Sequence, residues 1–429
     1  MKRKFLLCGT LMAFLLSGFV FTSCNDDDDD DDSDYSRTIT FENLMSEKDF
    51  VQSGTFQSGT ATAPTAILPG QQVEIKFNAG KGQVLSFATM YGNSKDLFFA
   101  PANPGIMLFE SNGTPVTGDV SAQVKLWDNG TKLNSDPTQA AEGQPNTVED
   151  KNIAEVAGTD GTHTYPAAND MMKLMLAYNA NTSEFTLTIK NNSDQTAVQT
   201  PFSPGVWVVS SLNSSNQPVN AAPFYTAGQK TTSQLTALAT SGNGQSLTEL
   251  NQGKTGIVSG ISPVLMVVYT GDTNPIFTVN QKDAGLGLKE LSQTGDLTKL
   301  KNALERERVV SRVYQFGTAA AGPGSKIEGT YEARSYEKIA FVTMFGASND
   351  WFFANNTPID ALSTGDKTSM VSLYDNGTAW SQYPGAGNAQ VGFGGTAIAE
   401  DEVIKLVNNL TYPTFDVPEV NQMLKVTIK

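Results

Sequence analysis

Short runs in which apolar and polar residues alternate recur along the chain, separated by glycine, threonine, serine and asparagine. Examples are "QVEIKFNA" (72–79), "EFTLTIK" (184–190) and "KIAFVTMF" (338–345), all rich in the residues that favour strands. Because successive strand side chains point to opposite faces, this alternation predicts strands with one buried face. A chain dense in such strands is typical of sandwiches and barrels. We therefore predict a mainly β fold built from antiparallel sheets.

One segment has a helical period instead. The stretch "GLKELSQTGDLTKLKNALERERVV" (287–310) carries leucines three and four residues apart, interrupted at Gly295. This pattern predicts a short helix, a break, and a longer helix that Asp296 caps. The segment 224–243 matches 276–296, with Gly242 in the place of Gly295. Each half of the chain is therefore expected to carry a short helical insertion.

Two pairs of repeats define the organisation of the chain. The segment "TMYGNSKDLFFA" (89–100) returns as "TMFGASNDWFFA" (343–354), and each is followed by a "DNGT" motif, at 128–131 and 375–378. The helical segments form the second pair, each after a matching strand, "SPGVWVV" or "SPVLMVV". We call the segment with the two aspartate motifs the aspartate piece, and the helical segment with its preceding strand the helical piece. Along the chain the order is aspartate piece, helical piece, helical piece, aspartate piece. We predict two copies of one domain, at 35–252 and 253–429, the first circularly permuted. An exchange of the helical pieces between the copies would give the same order.

The first residues are expected to be a targeting segment rather than part of the fold. A basic "MKRK" precedes an apolar run, and "FTSC" follows it, which resembles the lipobox of bacterial lipoproteins. The resemblance implies that residues 1–23 are removed and that Cys24 carries the lipid. Residues 24–34 contain seven consecutive aspartates and are expected to serve as an extended acidic tether. Such a run resembles the surface-export signal of Bacteroidetes lipoproteins and implies an outer-membrane protein that faces the cell exterior.

Composition excludes several classes of function. The formal net charge is −15, which disfavours nucleic acid as a partner because affinity for phosphates depends on Lys and Arg. The only cysteines are Cys8 and Cys24, so the folded part has neither a disulfide nor a thiol nucleophile. The single histidine, His163, lies in a turn-rich stretch without a hydrolase or zinc-protease motif around it. We therefore predict that the protein is not an enzyme.

Taken together, the S-x-D-W/L-F and W/Y-D-x-G-T motifs and the helical piece resemble the spondin N-terminal domain family. The resemblance covers both copies and implies an antiparallel β-sandwich similar to a C2 domain. It also implies a calcium ion, whose ligands fall on Asp96 and Asp128 in the first copy and on Asp350 and Asp375 in the second.

The third calcium ligand of the family would be an acidic residue, but its positions hold Lys132 and Ala379. Calcium requires six to eight oxygens, so this departure weakens the expected site. The alternative is that the aspartates only close turns through hydrogen bonds to the backbone. The sequence favours turn closure in the first copy and leaves both interpretations open in the second.

The aromatic residues near the second set of aspartates offer a candidate ligand surface. Trp351, Trp380 and Tyr383 lie around the two aspartate motifs of the second copy and could stack on a sugar ring, although aromatic side chains more often fill a core. In each adjacent pair, Phe98–Phe99 and Phe352–Phe353, one ring is expected in the core and the other outside.

We expect a surface lipoprotein with an adhesion or ligand-binding role, whose partners are the outer-membrane lipid and a glycan or protein ligand. One alternative is a structural component of an outer-membrane surface complex. The other is a carbohydrate-active enzyme or an accessory glycan-binding module.

Overall fold

The structure is a computed structural model that describes residues 33–60, 63–220, 222–409 and 416–429. The predicted signal peptide, Cys24 and the aspartate run lie outside the described residues. Strands dominate, and the helices are short. In chain order the strands are β1 (Tyr35–Asn43), β2 (Gln52–Phe56), β3 (Gln72–Asn78), β4 (Gln83–Met90), β5 (Leu97–Pro101), β6 (Ile106–Met107), β7 (Gly118–Asp119), β8 (Val124–Asp128), β9 (Ala154–Glu155), β10 (Met172–Asn179), β11 (Glu184–Asn191), β12 (Gly205–Ser211), β13 (Val264–Tyr269), β14 (Val310–Phe316), β15 (Lys326–Ala333), β16 (Lys338–Met344), β17 (Trp351–Asn355), β18 (Ile359–Asp360), β19 (Gly365–Asp366), β20 (Val371–Asp375), β21 (Lys405–Leu406) and β22 (Leu424–Ile428). The α-helices are α1 (Ala168–Met171), α2 (Ser233–Ser241), α3 (Gln245–Gly253), α4 (Leu288–Thr294), α5 (Thr298–Leu304) and α6 (Val420–Met423).

The strands form four antiparallel sheets that pack in pairs. The sheet β3–β11–β10–β7 faces the larger sheet β2–β12–β4–β5–β8–β9, and one apolar core lies between them. The sheet β15–β1–β22–β19 likewise faces β14–β13–β16–β17–β20–β21 across a second core. The prediction of a mainly β, antiparallel fold is confirmed.

Helices cover the outer face of each larger sheet. Leucines of α2 and α3 pack on the first, and leucines of α4 and α5 pack on the second. The central strands β4 and β13 are therefore buried at every position, whereas β3 and β11 keep the predicted alternation. A strand covered on both faces needs apolar residues on both, which explains the continuous run "VLMVVY" in β13.

The two copies have the same strand order, and the first is a circular permutation of the second. Strands β3, β11, β10 and β7 match β15, β1, β22 and β19, and the larger sheets match strand by strand. In the first copy β11 directly precedes β12, but its equivalent β1 is separated from β13 by the whole first copy. The first sandwich is thus inserted between two consecutive strands of the second. Its β12 pairs with β2 and β4, so the two copies do not exchange their helical pieces.

This insertion changes the assignment of one strand. The predicted interval 35–252 includes β1, but the register pairs Ile39 with Gly329 of β15 and with Ile428 of β22. The strand therefore belongs to the sheet of the second sandwich. Sequence repeats could not show this, because β1 lies outside the repeated motifs.

The two chain connections between the sandwiches lie side by side. Phe50 and Thr255 form a parallel bridge, and the Asp49 carboxylate accepts from the Lys254 ammonium at 2.7 Å. A separate contact joins the side-chain nitrogen of Gln83 to the carbonyl of Gly385 at 2.7 Å. The segment 385–390 is therefore largely packed at this junction.

Candidate functional site

The candidate calcium ligands lie at one end of each larger sheet. Asp350 follows a tight turn after β16, which Ser348 closes by donating to the Phe345 carbonyl at 2.7 Å. The hydroxyl of Ser348 also accepts from the backbone N–H of Trp351 at 2.9 Å. Ser94 makes the equivalent pair of contacts before Leu97. The serine of the repeated S-x-D motif therefore shapes the turn and directs the aspartate side chain inward.

Each of these aspartates closes a loop with one of its oxygens. Oδ2 of Asp350 accepts from the Thr378 backbone N–H (2.7 Å), the Thr378 hydroxyl (2.8 Å) and the Ala379 backbone N–H (2.8 Å). In the first copy, Oδ2 of Asp96 accepts the same three hydrogen bonds from residues 131–132, at 2.7, 2.9 and 2.8 Å. Lys132 and Ala379 contribute only their backbone N–H groups to this contact, so the lack of a carboxylate at these two positions does not alter it.

The second aspartate of each copy shapes the next turn. Asp375 accepts from the Gly377 N–H at 2.7 Å, and Asp128 accepts from the Gly130 N–H at 2.7 Å. Gly377 has a φ of 69°, and a β-carbon there would lie 2.6 Å from the Glu402 carbonyl oxygen. The glycine of the "DNG" motif is therefore required by both backbone conformation and space.

The other oxygen of this aspartate is also engaged. Oδ2 of Asp375 accepts from the hydroxyl of Ser381 at 2.9 Å, and that hydroxyl also accepts from the indole N–H of Trp351 at 2.8 Å. In the first copy, Oδ2 of Asp128 accepts from the Asn134 amide at 2.8 Å. Both oxygens of the second aspartate thus have donors in both copies.

Burial makes these carboxylates hard to ionise. It raises the pKa of Asp96 to about 6, the negative charge of Asp128 adds to the effect, and the hydrogen bonds oppose it. Burial and the charge of Asp375 raise the pKa of Asp350 well above its usual value. Among the described residues, Oδ1 of Asp96 and Oδ1 of Asp350 have no hydrogen-bond donor. Each pair therefore presents one buried, unengaged oxygen that would favour a proton or a cation.

The side chains present do not form a calcium cage. Three of the four carboxylate oxygens in each pair already accept hydrogen bonds, which leaves one unengaged oxygen for an ion that needs six to eight ligands. In the part of the chain that the structure describes, no group of three His, Cys, Asp or Glu side chains is placed to hold a metal. The geometry agrees better with loop closure than with a calcium site.

The sequence did not identify one further acidic residue near each pair of aspartates. These residues are Glu149 in the first copy and Glu400 in the second. Burial raises the pKa of Asp128, and the negative charge of Glu149 raises it further. Burial likewise raises the pKa of Glu400, and the charge of Asp375 adds to that rise. The two glutamates occupy equivalent positions in the two copies. The backbone N–H of Glu149 donates to the carbonyl of Thr131, and that of Glu400 donates to the carbonyl of Thr378. The loops before them differ in length and sequence, so the motif spacing could not identify them.

The candidate aromatic surface is not assembled. Trp351 is completely buried in the second core, and Trp380 and Tyr383 are half-buried, with Tyr383 packed against that core. All four phenylalanines of the two adjacent pairs are also fully buried, because the helical layer covers the sheet face that was expected to be exposed. Trp351 therefore has no surface to offer a ligand.

His163 belongs to a closed turn. Its Nδ1 lies 3.1 Å from Oδ2 of Asp160, and the Tyr165 hydroxyl donates to the same oxygen at 2.9 Å. These contacts make His163 part of a hydrogen-bonded turn around the Asp160 carboxylate.

Within the described residues, the structure contains no helix of sufficient length and apolar character to cross a membrane. No protein-family model matches the chain, and a search of curated proteins found no significant match.

Proposed function

We propose that the protein is a surface-anchored lipoprotein with a binding rather than a catalytic role, and that its two sandwiches are spondin-like domains. In this proposal a lipid on Cys24 holds the chain in the outer membrane, and the acidic tether presents the sandwiches to the exterior. The family resemblance supports adhesion only by analogy, because a fold does not fix a function.

The observation that carries the proposal is the position of the first strand relative to the predicted lipid anchor. Strand β1 starts at Tyr35, just after the aspartate run, and lies between β15 and β22 in the middle of a sheet. An extended chain covers at most about 3.5 Å per residue, so the tether could hold the sandwiches within roughly 40 Å of the lipid. That distance suits a protein that presents both sandwiches close to the cell surface.

The placement of the buried acids supports a non-catalytic role. Asp96, Asp128, Asp350 and Asp375 close loops. Five of the cavities between described residues, with volumes of about 170 to 560 Å³, are lined by other side chains. An acid or base catalyst must lie within hydrogen-bond reach of a substrate. These carboxylates are instead engaged with the protein's own backbone.

The edges of the smaller sheets favour ligand binding over assembly by strand exchange. The edge strand β15 exposes Lys326, Glu328 and Glu332, and β3 exposes Glu74 and Lys76. Charged residues on an edge strand discourage pairing with another chain. The alternative role, a structural component of a surface complex, would therefore need a different contact surface.

The test uses the full-length chain expressed in an outer-membrane host. We expect labelled palmitate to be incorporated into the wild type and not into Cys24→Ser, and protease added to intact cells to digest the wild type. Cells displaying the protein should bind at least one member of a panel of immobilised polysaccharides and deglycosylated matrix proteins. Absence of labelling, or binding to no member of the panel, would refute the proposal, as would release of new reducing ends from a polysaccharide.

A further inference from the structure

The chain contains four asparagine–glycine pairs, and the fold holds them in different ways. They are Asn112–Gly113, Asn129–Gly130, Asn243–Gly244 and Asn376–Gly377. An asparagine before glycine is prone to cyclise, because glycine has no side chain to hinder attack of its amide nitrogen on the asparagine side chain. The nitrogen must turn towards that side chain to react, so the contacts around each pair determine its reactivity.

The two pairs in the repeated "DNG" motifs are locked. Asn129 and Asn376 are completely buried, and the N–H of each following glycine donates to an aspartate at 2.7 Å. The side-chain oxygen of Asn129 accepts from the Thr231 hydroxyl, and Nδ2 of Asn376 donates to Asp283 at 2.9 Å. Both the attacking nitrogen and the amide that it would attack are therefore held in hydrogen bonds.

The pair Asn243–Gly244, between α2 and α3, is open. The side chain of Asn243 is exposed, and the N–H of Gly244 has no hydrogen-bond acceptor among the described residues. The backbone N–H of Gln245 donates to Oδ1 of Asn243 at 3.1 Å. A donor on this oxygen stabilises the negative charge that develops there when the carbonyl carbon is attacked. This pair therefore combines an accessible amide, a polarised carbonyl and an unengaged glycine nitrogen.

The pair Asn112–Gly113 separates exposure from the freedom of the nitrogen. Asn112 is exposed like Asn243, but the N–H of Gly113 donates to the carbonyl of Glu110 at 2.8 Å. Attack by this nitrogen first requires loss of that hydrogen bond. We therefore expect Asn112 to be less reactive than Asn243 although both are exposed.

The second copy shows that an acidic product fits at this position. Asp296 occupies the place of Asn243, directly after the glycine that ends the preceding helix. Oδ1 of Asp296 accepts from the Thr298 N–H at 2.9 Å, and the hydrogen bonds from Thr298 hold the pKa of Asp296 below its usual value. An aspartate at position 243 would accept the equivalent bond from Gln245 at the start of α3, where the helix favours a negative charge.

We propose that Asn243 is a site of spontaneous deamidation in the folded protein, with water as the co-reactant. The nitrogen of Gly244 bonds to Cγ of Asn243, the Cγ–Nδ2 bond breaks, and the glycine proton leaves with the amide nitrogen as ammonia. Water then opens the succinimide ring at one carbonyl to give aspartate or at the other to give isoaspartate. The isoaspartate adds a methylene group to the backbone between α2 and α3. This inference is independent of the binding role proposed above.

The experiment incubates the purified full-length protein, in detergent, in mildly alkaline buffer below its unfolding temperature. Peptide mass spectrometry measures conversion of amide to acid at each pair, and an isoaspartyl methyltransferase assay measures the isoaspartate. Asn243 should react at least about tenfold faster than Asn129 and Asn376, because reaction at the buried pairs requires local opening. Asn112 should have an intermediate rate. In denaturant, where these contacts are lost, the four rates should converge.

Gly244→Ala is the variant that tests the attacking nitrogen. Gly244 has a φ of −88°, which other residues adopt, and its counterpart Leu297 has a φ of −84°. The added methyl group hinders attack and should slow deamidation of Asn243 by about tenfold or more. Gly253→Ala is the matched control in α3, because a β-carbon there meets open space, and it should leave the rate unchanged. Thermal unfolding checks that both variants retain the fold.

Three results would overturn the assignment. The first is a rate at Asn243 in the folded protein no greater than the rates at Asn129 and Asn376. The second is faster reaction at Asn112 than at Asn243, since exposure rather than an unengaged nitrogen would then set the rate. The third is a folded Gly244→Ala variant that deamidates at Asn243 as fast as the wild type.

Discussion

Replacing Asp350 by asparagine should leave the second sandwich at least as stable as the wild type at neutral pH, whereas alanine should destabilise it. An asparagine oxygen can accept the same three hydrogen bonds from Thr378 and Ala379. Its NH₂ group would occupy the place of Oδ1, which has no donor among the described residues. The substitution also removes a carboxyl group whose ionisation is opposed by burial and by the negative charge of Asp375, the two causes that raise the pKa of Asp350.

The size of the alanine effect follows from the donors left behind. Alanine leaves two buried backbone N–H groups without an acceptor, at about 1–3 kcal/mol each, while the Thr378 hydroxyl can rotate to another partner. Relief of the burial cost of the carboxylate and of its repulsion by Asp375 offsets part of this loss, which leaves a net destabilisation of about 2–4 kcal/mol. For a domain of this size, about 3 kcal/mol corresponds to a fall in Tm of roughly 6–12 °C.

Differential scanning calorimetry of the wild type, Asp350→Asn and Asp350→Ala measures these changes directly. The matching pair at Asp96 is the internal control, because Asp96 accepts the same set of hydrogen bonds. The shared geometry predicts similar losses of stability at Asp350 and at Asp96. The reasoning fails if Asp350→Asn melts as low as Asp350→Ala, since the negative charge itself would then be required, as it is at a cation site.

Three further outcomes are expected. Millimolar Ca²⁺ should leave the wild-type Tm unchanged relative to EDTA; a rise would show that water and carbonyl oxygens complete a calcium site, because a ligand specific to the folded state stabilises it. The folded-state pKa of Asp96, about 6, lies above its unfolded value, so its contribution to stability is complete below the unfolded pKa and is lost as pH rises through about 6. Acidification from about pH 7 to about pH 5 should therefore stabilise the wild type relative to Asp96→Asn, and parallel pH profiles would contradict this. Gly329→Ala should destabilise by about 1–3 kcal/mol, because its β-carbon would lie 1.9 Å from the Phe316 ring, whereas Gly322→Ala has open space and should be neutral in urea unfolding.

The sequence predicted the class of fold because the relevant signals were local. Alternating runs became strands, and the break at Gly295 became a helix end with a φ of 74°, as it did at Gly242 with a φ of 69°. The second helix ends at Leu304 rather than continuing to residue 310, and Val310 begins β14. The β-branched residues there favour a strand, and β13 supplies its hydrogen-bond partner.

The parts that could not be predicted depend on contacts between distant segments. The burial of Phe98 and Phe352 on the second face of the sheet requires the helical layer, which arrives from elsewhere in the chain. The sequence correctly associated Asp96 with a turn, but the number of donors to its carboxylate is a property of the folded loop. Phe393 carried no periodic signal, and only the packing of one sandwich against the other places it at a cleft.

The position of β1 also determines the order in which the chain can fold as it is synthesised. Ile39 of β1 pairs with Gly329 of β15 and with Ile428 of β22, and both partner strands are synthesised much later than β1. Strand β1 therefore leaves the ribosome long before it can pair. The inserted sandwich contains all of its own strands and can fold during that interval. Once folded, its paired connections at Phe50 and Thr255 bring β1 near β13 and shorten the effective loop from roughly 290 to roughly 80 residues, which lowers the closure cost by about 1 kcal/mol. Folding of the first sandwich therefore prepares that of the second, and a nascent chain stalled before β15 would present both edges of β1 to other strands.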